Sequence, residues 1–206
     1  MRVNKITWIL FLDIFLVFIF LVLFFNSILF FKCRNEVVNL PDTSNYIMRI
    51  HFYGSTEINN TNTVSANISL LDTSNTEIAV IERSWNGTFI DIDFTTVSFA
   101  NKTYFFPQKI YGTNSVNSKY NPFTPKKGSN LFPYYVENKN CLLFSSGFSY
   151  EQKKSLYNLA VFSTSPIAFF MPSVSKKITV NLSNCQGGKT YGLYKDNSGK
   201  LFLRED

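Results

Sequence analysis

A lysine and a threonine follow two glycines near the C-terminus, in the segment SNCQGGKT at positions 183–190. The final GKT (188–190) matches the end of the phosphate-binding loop G-x-x-x-x-G-K-[ST], but Ser183 stands where that loop needs its first glycine. Such a loop also leads into a helix, whereas YGLYKD, which follows here, alternates as a strand does. We therefore interpret QGG (186–188) as a turn between strands and expect no nucleotide partner.

His51 is the single histidine, and Asp91 and Asp93 are two carboxylates separated by one residue. Positions two apart in a strand share a face, so the aspartates could act together as acid and base or bind calcium. His51 would need a nucleophile and a carboxylate brought to it by the fold. The commoner arrangements are a surface histidine and solvent-facing aspartates. One histidine and three separated cysteines exclude an ordinary structural zinc cluster, and we expect no catalytic set, metal or cofactor.

Cys141 and Cys185 lie far from the N-terminus, and a disulfide between them would close a loop of 44 residues (185 − 141). The sequence does not establish that they are close together, so the disulfide and two free thiols both stay open. Cys33 directly follows the apolar N-terminal segment and is either lipidated or free.

N-x-[ST] sequons occur at five asparagines, which in a eukaryotic secretory protein would be glycan sites. They are Asn59, Asn67, Asn86, Asn101 and Asn181. Because the chain is rich in asparagine and threonine, several sequons are expected by chance. Asn67 and Asn181 also fall in predicted strands.

Residues 107–140 are rich in proline and polar residues and are predicted to form one long irregular loop. Loops of this length are usually functional or mobile. Their aromatic side chains either form a binding surface or fold back to cover the sheet, and the second arrangement is the commoner. The candidate binding residues are Tyr111, Tyr120, Phe123, Phe132, Tyr134 and Tyr135.

The formal net charge is +6, from 20 basic and 14 acidic residues. Residues 1–34 hold four of the basic residues and one of the acidic ones, which leaves 16 against 13, or +3, for residues 35–206. A basic excess this small, mixed with carboxylates, is typical of a solvated surface and not of a nucleic-acid interface. We expect no nucleic-acid partner.

The apolar run from Ile6 to Phe31 contains 26 residues and one charge. As a helix it would be about 39 Å long, enough to cross a hydrocarbon core of about 30 Å. A cleaved signal peptide would have a shorter apolar region and a small-x-small cleavage site, but this run ends in ILFFKC. We predict a tail over 1–5, an uncleaved single-pass anchor over 6–31 with the lipid bilayer as its partner, and a polar linker over 32–45.

The positive-inside rule hardly distinguishes the two possible orientations of this anchor. Arg2 and Lys5 precede the apolar run, and Lys32 and Arg34 follow it. A very short N-terminus and a long following domain favour an N-terminus that stays inside and a domain that is exported.

Asp13 lies inside the anchor, where a carboxylate is costly and is a functional-site hypothesis by default. The segment LFLDIFLVFIFLVLFF resembles the membrane anchor of the ExbD/TolR family. The resemblance covers this helix alone and implies that Asp13 would carry protons beside a channel partner. A tolerated or helix-pairing aspartate is the commoner explanation.

After residue 45 the hydrophobic period changes from helical to two, which is typical of strands. Asn86-Gly87 predicts a hairpin, and Pro107 is expected to end its strand. SYEQKKSLYNLAVF (149–162) predicts one helix, with Ser149 and Gln152 as its capping box. The predicted strands are 46–53, 63–72, 77–85, 88–94, 102–107, 166–172, 176–182, 189–196 and 200–205.

These elements predict a mainly β fold class. We expect an antiparallel β-sandwich or barrel-like domain over 46–206, with one short helix, preceded by a single N-terminal transmembrane helix.

The function expected from this organisation is a non-catalytic envelope structural or interaction module. It would be tethered to the membrane and would bind an envelope protein through an exposed strand edge or the 107–140 loop. One alternative is a membrane-tethered hydrolase or carbohydrate-active domain that uses His51 or the Asp91/Asp93 pair. Another is a small subunit of a membrane complex held through Asp13.

Overall fold

A long N-terminal helix leads directly into a β-rich domain. The computed structural model describes residues 5–41, 45–58, 60–99, 101–116, 126–169, 171–196 and 199–206. Helix α1 spans Lys5–Glu36 and is followed by a 3-10 turn over Val37–Asn39. It is long and apolar enough to cross a membrane, with a mean hydropathy of 3.0 in its most apolar window.

Strands occupy most of the domain, and all the pairings between them in the described residues are antiparallel. The mainly β class behind one apolar helix is therefore confirmed. The helices of the domain are α2 (Phe132–Tyr135), α3 (Tyr150–Thr164) and α4 (Pro166–Phe169). The strands are β1 (Tyr46–Ile58), β2 (Thr61–Leu71), β3 (Glu77–Asn86), β4 (Phe89–Phe99), β5 (Lys102–Thr113), β6 (Ser129–Asn130), β7 (Val136–Glu137), β8 (Asn140–Cys141), β9 (Ser175–Asn181), β10 (Lys189–Lys195) and β11 (Leu201–Glu205).

The strands form two main sheets and one small hairpin. The first sheet has the order β11-β10-β1-β2-β3, the second has the order β6-β5-β4-β9, and β7 pairs with β8. From Met48 onwards β1 shows the predicted alternation, with Ile50 and Phe52 buried while Arg49 and Tyr53 reach solvent. Ile47, predicted on the solvent side, is buried, because the register is irregular between Tyr46 and Met48. Buried side chains of both sheets, of α3 and of the end of α1 form one continuous core.

The Asn86-Gly87 pair does not form the predicted hairpin. It joins β3 in the first sheet to β4 in the second, so it is a corner between sheets. Gly87 has φ of 140°, and a Cβ there would lie 2.4 Å from the backbone N of Thr113. The glycine is needed because the chain turns directly against the end of β5.

Pro107 does not end its strand, because β5 continues to Thr113. Asp93 faces Lys109 and Phe94 faces Pro107, so Gln108 is an extra residue at a β-bulge. A bulge is one of the few places where a strand tolerates a residue without an N–H. The predicted 107–140 loop therefore contains half of β5, the strands β6, β7 and β8, and helix α2.

Helix α3 is confirmed with its capping box: the N–H of Gln152 donates to Ser149 Oγ at 3.3 Å, and the N–H of Ser149 donates to Gln152 Oε1 at 2.9 Å. The predicted strand at 166–172 is wrong, because its first four residues form helix α4. Proline suits the first turn of a helix, where its missing N–H is not required.

The predicted polar linker at 32–45 is also wrong, at least up to residue 41. Helix α1 extends five residues past Phe31, and the side chains of Cys33, Val37 and Leu40 are fully buried in the core of the domain. These apolar positions stabilise the junction by burial, each contributing on the order of 1–3 kcal/mol.

Aromatic and polar contacts hold the end of α1 against α3. Phe30 lies 5.5 Å from the Phe99 ring and 6.0 Å from the Phe162 ring, measured between centroids. Asn158 Nδ2 donates to Glu36 Oε2 at 2.8 Å. The last turns of α1 thus belong to the domain and not to a flexible tether.

Candidate functional site

His51 lies on the partly exposed face of β1 and has no catalytic partner among its described contacts. Its Nδ1 is 2.9 Å from Thr190 Oγ1, and its ring meets the ring of Tyr53 edge to face at 5.0 Å. A triad would require a nucleophile and a carboxylate oriented by this ring. The contact with Thr190 instead links β1 to the neighbouring strand β10.

The GKT segment forms the start of β10 and not a phosphate-binding loop. The N–H of Gly188 donates to Phe52 O at 2.7 Å, and Lys189 Nζ donates to Glu205 Oε2 at 3.0 Å. A strand follows, so the segment lacks the helix N-terminus that such a loop would provide.

The most unusual cluster of the domain is the pair Asp91 and Asp93 on β4. Both were predicted to face solvent, but their exposed fractions are 0% and 7%. β4 is a central strand, with β5 on one side and β9 on the other. Both faces of β4 are therefore buried. The alternation of apolar and polar residues in the sequence does not reveal that the polar face is covered too.

Asp93 lies at the centre of this cluster, and its Oδ1 has several partners. Its Oδ1 accepts from Tyr111 Oη at 3.0 Å and from Thr179 Oγ1 at 2.6 Å. Lys126 Nζ lies 4.0 Å from the same oxygen and also donates to Tyr111 Oη. Burial raises the pKa of the Tyr111 hydroxyl far above its ordinary value, and the negative charges of the two aspartates raise it further. Tyr111 is therefore a proton donor at all physiological pH values.

Asp91 is bonded through only one of its two oxygens. Its Oδ1 accepts from Asn181 Nδ2 at 2.6 Å, while its Oδ2 is buried without a partner in the described part of the chain. Asn181 also donates to Ser115 O at 3.2 Å. Both aspartates are buried, so the cluster is a buried polar network that joins β4, β5 and β9.

The six aromatic candidates do not form a common exposed surface among the described residues. Tyr111 and Tyr135 are almost fully buried, and Phe132 and Tyr134 pack against the core. Tyr120 and Phe123 lie outside the described residues. The four described rings are thus buried or half-buried against the domain.

Of the two states that the sequence leaves open for Cys141 and Cys185, a disulfide and free thiols, the structure has free thiols. Cys141 is buried in β8, which packs against α3. Cys185 lies in the turn between β9 and β10, where its N–H donates to Leu182 O at 3.1 Å. Cys33 is also free and has no exposed surface, so its side chain is closed to lipidation in the folded domain.

In the native protein at pH 8, Cys185 is expected to react with N-ethylmaleimide roughly 100-fold more slowly than an exposed thiol, because only the thiolate reacts. Cys141 should react only through unfolding. Burial raises the pKa of Cys185 to about 11 and that of Cys141 to about 12. Folding raises the pKa of the Cys141 thiol from 9.0 to about 12, because burial disfavours the thiolate. The contribution of the buried Cys141 thiol to the free energy of unfolding is therefore fully present below pH 9 and is lost as the pH rises towards 12.

Time-resolved mass spectrometry of the labelled protein tests these rates, with the protein in urea as the control. Both cysteines should label in urea without a reductant. Fast labelling of Cys141 in the native protein would contradict its burial, and labelling in urea only after reduction would reveal a disulfide.

The sequons differ in their accessibility. The amide of Asn181 is occupied by Asp91 and Ser115, so a glycan there would break the buried network. Asn67 is half-buried, whereas Asn86 and Asn101 are exposed. Asn59 lies outside the described residues.

Asp13 lies on the exposed surface of α1, among apolar side chains that are themselves exposed. Exposed large apolar side chains are nearly continuous from Trp8 to Phe25, a length of about 27 Å at ~1.5 Å per residue, and recur at Ile28 and Phe31. That length is close to the thickness of a hydrocarbon core, about 30 Å.

Two of the surface depressions formed by the described residues are candidate binding places. One, of about 550 Å³, lies beside Trp85, Tyr111 and Lys126, but both rings are almost fully buried and leave little surface for a ligand. The other is a groove of about 460 Å³ between β9 and the start of β11. Neither was predicted, because each is formed by strands that are distant in sequence.

In the described part of the chain, no group of three or more His, Cys, Asp or Glu side chains is placed to hold a metal ion. The chain matches no protein-family model, no curated protein and no solved structure.

Proposed function

We propose that this protein is a single-pass membrane protein whose β domain acts as a non-catalytic interaction module on the exported side of the membrane. The observation that carries the proposal is helix α1. Its apolar side chains are exposed over Trp8 to Phe25, and its last turns are buried in the domain. A soluble protein would rarely expose so large an apolar surface.

The docked end of α1 supports a position of the domain directly at the membrane surface. Phe30 packs into the domain only five residues after Phe25. If Trp8 to Phe25 lie in the lipid, the domain begins within about two helical turns of the headgroups. An interaction module held at this height is suited to partners that also lie at the membrane surface.

Membrane extraction tests the anchor. The full chain should sediment with membranes, resist extraction by sodium carbonate at high pH, and be released by detergent. Protease added to intact cells should degrade the domain if it is exported. Release by carbonate would contradict the anchor, whereas carbonate resistance with protection from protease would contradict only the exported orientation.

A second candidate, a small subunit of a membrane complex, is favoured by the exposed position of Asp13 on α1. A carboxylate on a lipid-facing surface is costly and becomes favourable when a partner helix pairs with it. Substituting Asp13→Asn would then abolish co-purification with the partner, and an unchanged complex would exclude this role.

A further inference from the structure

Helix α3 runs antiparallel to the last part of α1, towards the apolar part of that helix. Three contacts join the two segments, and each later residue of α3 meets an earlier residue of the α1 segment. The first two are hydrogen bonds of 3.1 and 2.8 Å, and the third is a ring contact of 6.0 Å between centroids. The pairs are Gln152 with Asn39, Asn158 with Glu36, and Phe162 with Phe30. Both stretches cover about 15 Å, so the two segments stay side by side.

The end of α3 lies beside a turn of α1 that is apolar and exposed on its other side. Helix α3 ends at Thr164, two residues past Phe162, so its end is level with about Ile28 of α1. Phe30 packs on the core at this turn, whereas the side chains of Ile28 and Phe31 are 50% and 59% exposed. One side of the turn therefore meets the domain, and the other presents apolar side chains to the surroundings.

If α1 is a membrane anchor, this turn lies in the lipid interface. The exposed apolar side chains from Trp8 to Phe25 cover about 27 Å, close to a hydrocarbon core of about 30 Å, and the headgroups add about 5–7 Å on each side. The next five residues, 26–30, rise about 7.5 Å and therefore cross that headgroup layer. The end of α3 is held at the same height, so it lies in the layer as well.

The connection between α3 and β9 closes this end of the domain. It contains α4, in which Ala168 is buried, and Val174 packs on the core. The N–H of Ser98 donates to Val174 O at 2.7 Å. The ring of Phe99, the next residue, lies 5.5 Å from the Phe30 ring. Both ends of the connection are thus held near the height of Phe30.

The connection has the composition of a segment that avoids water. Residues 155–175 contain no charged side chain, and PIAFFMP occupies positions 166–172. Pro166 and Pro172 are exposed within it. A connection that faced water would usually carry charged residues, because these are the residues most often found at a solvated surface.

Basic residues lie just above the apolar end, where the lipid phosphates would be. Lys176 pairs with Thr96, which is three residues and about 10 Å from Phe99 along β4. Arg34 is four residues, about 6 Å, past Phe30 on α1. Both basic side chains are exposed, and cations at this height are attracted to phosphate groups. No carboxylate occurs in the segments that form this end, 22–35, 94–104 and 152–178.

We propose that the end of the domain formed by the last turn of α3, by α4 and by the turn before β9 lies in the lipid interface beside the anchor. The phospholipid bilayer would then contact the domain itself and not only α1. The inference rests on the proposed function as a membrane-anchored module and names the surface of the domain that meets the lipid. With two attachments to the bilayer, the domain would keep one orientation relative to the membrane.

Quenching of tryptophan fluorescence by brominated lipid tests this contact. The full chain is placed in nanodiscs of phosphatidylcholine, either plain or brominated near the top of the acyl chains. Ser173→Trp places a reporter on the exposed turn before β9. The matched control, Val116→Trp, places one on an exposed position past the far end of β5. Both are made in a Trp8→Phe background, so they share only the buried Trp85.

Ser173→Trp is expected to lose at least about a third of its fluorescence in the brominated nanodiscs, because the interfacial layer is only about 5–7 Å thick. Val116→Trp and the Trp8→Phe parent should lose less than about 5%, since β5 places them more than about 30 Å from the lipid end. Trp8 of the wild type should be quenched as the reporter of the anchor. Thr164→Trp, on the exposed last turn of α3, is the second reporter if Ser173→Trp does not fold.

Equal losses in Ser173→Trp and Val116→Trp, with Trp8 of the wild type quenched, would overturn the contact between domain and lipid and leave the anchor in place. Absence of quenching at Trp8 would contradict the anchor itself and, with it, the inference that rests on it. The two failures are therefore distinguishable in one set of nanodiscs.

Discussion

Replacing Val37 with aspartate is expected to lower the free energy of unfolding of the β domain by more than about 3 kcal/mol. Val37 is fully buried where α1 enters the core, so the substitution places an unpaired carboxylate among apolar side chains. Urea denaturation of the full chain in detergent measures the effect through the fluorescence of the buried Trp85. A Trp8→Phe background leaves Trp85 as the only tryptophan.

The next residue is a matched control. Val38 has the same side chain but is 63% exposed, and Val38→Asp should change the free energy of unfolding by less than about 0.5 kcal/mol. Similar effects at the two positions would show that the chain after α1 is not docked on the domain. The contrast therefore separates a rigid junction from a flexible linker.

If the segment after α1 packs on the domain, the domain keeps a fixed orientation relative to the helix. Gln152 Nε2 of α3 donates to Asn39 O at 3.1 Å, and Lys102 Nζ donates to Leu40 O, so polar contacts hold the segment after α1 on both sides. The tilt of α1 in a bilayer would then decide which face of the domain meets the membrane. A groove at one side of the sandwich would be presented at a defined angle.

Asp93→Ala is expected to lower the free energy of unfolding by about 3 kcal/mol, the range observed when one partner of a buried ion pair is removed. Tyr111 and Thr179 would lose their shared acceptor, and Lys126, whose side chain is 17% exposed, would lose its carboxylate. The same urea titration measures this loss.

Asp91→Asn provides the control within the same cluster and should change the free energy of unfolding by less than about 1 kcal/mol. The amide keeps the oxygen that accepts from Asn181, and it removes charge from a carboxylate whose Oδ2 has no partner in the described residues. A loss as large as that of Asp93→Ala would mean that this oxygen is bound in the native protein, and a cation would be the first partner to seek.

The sequence by itself determined the features that depend on local physics. The apolar run after Lys5 is long enough to span a membrane, and period-two alternation located most strands and the buried side of β1. The capping box at Ser149 located the one long helix of the domain. Each of these follows from hydrophobic length, periodicity or a hydrogen bond within one turn, and none requires a distant residue.

Only the tertiary structure decided which faces are buried and which strands meet. Asp91 and Asp93 alternate as surface residues do, but β5 and β9 flank them and distant residues at 111, 126, 179 and 181 contact them. Asn86-Gly87 has the composition of a hairpin, but the chain passes from one sheet to the other there. The sequence at the end of α1 has the polar composition of a linker, yet Cys33 and Val37 are buried in the core of the domain. Each outcome depends on contacts between residues far apart in sequence, and a local pattern carries no information about them.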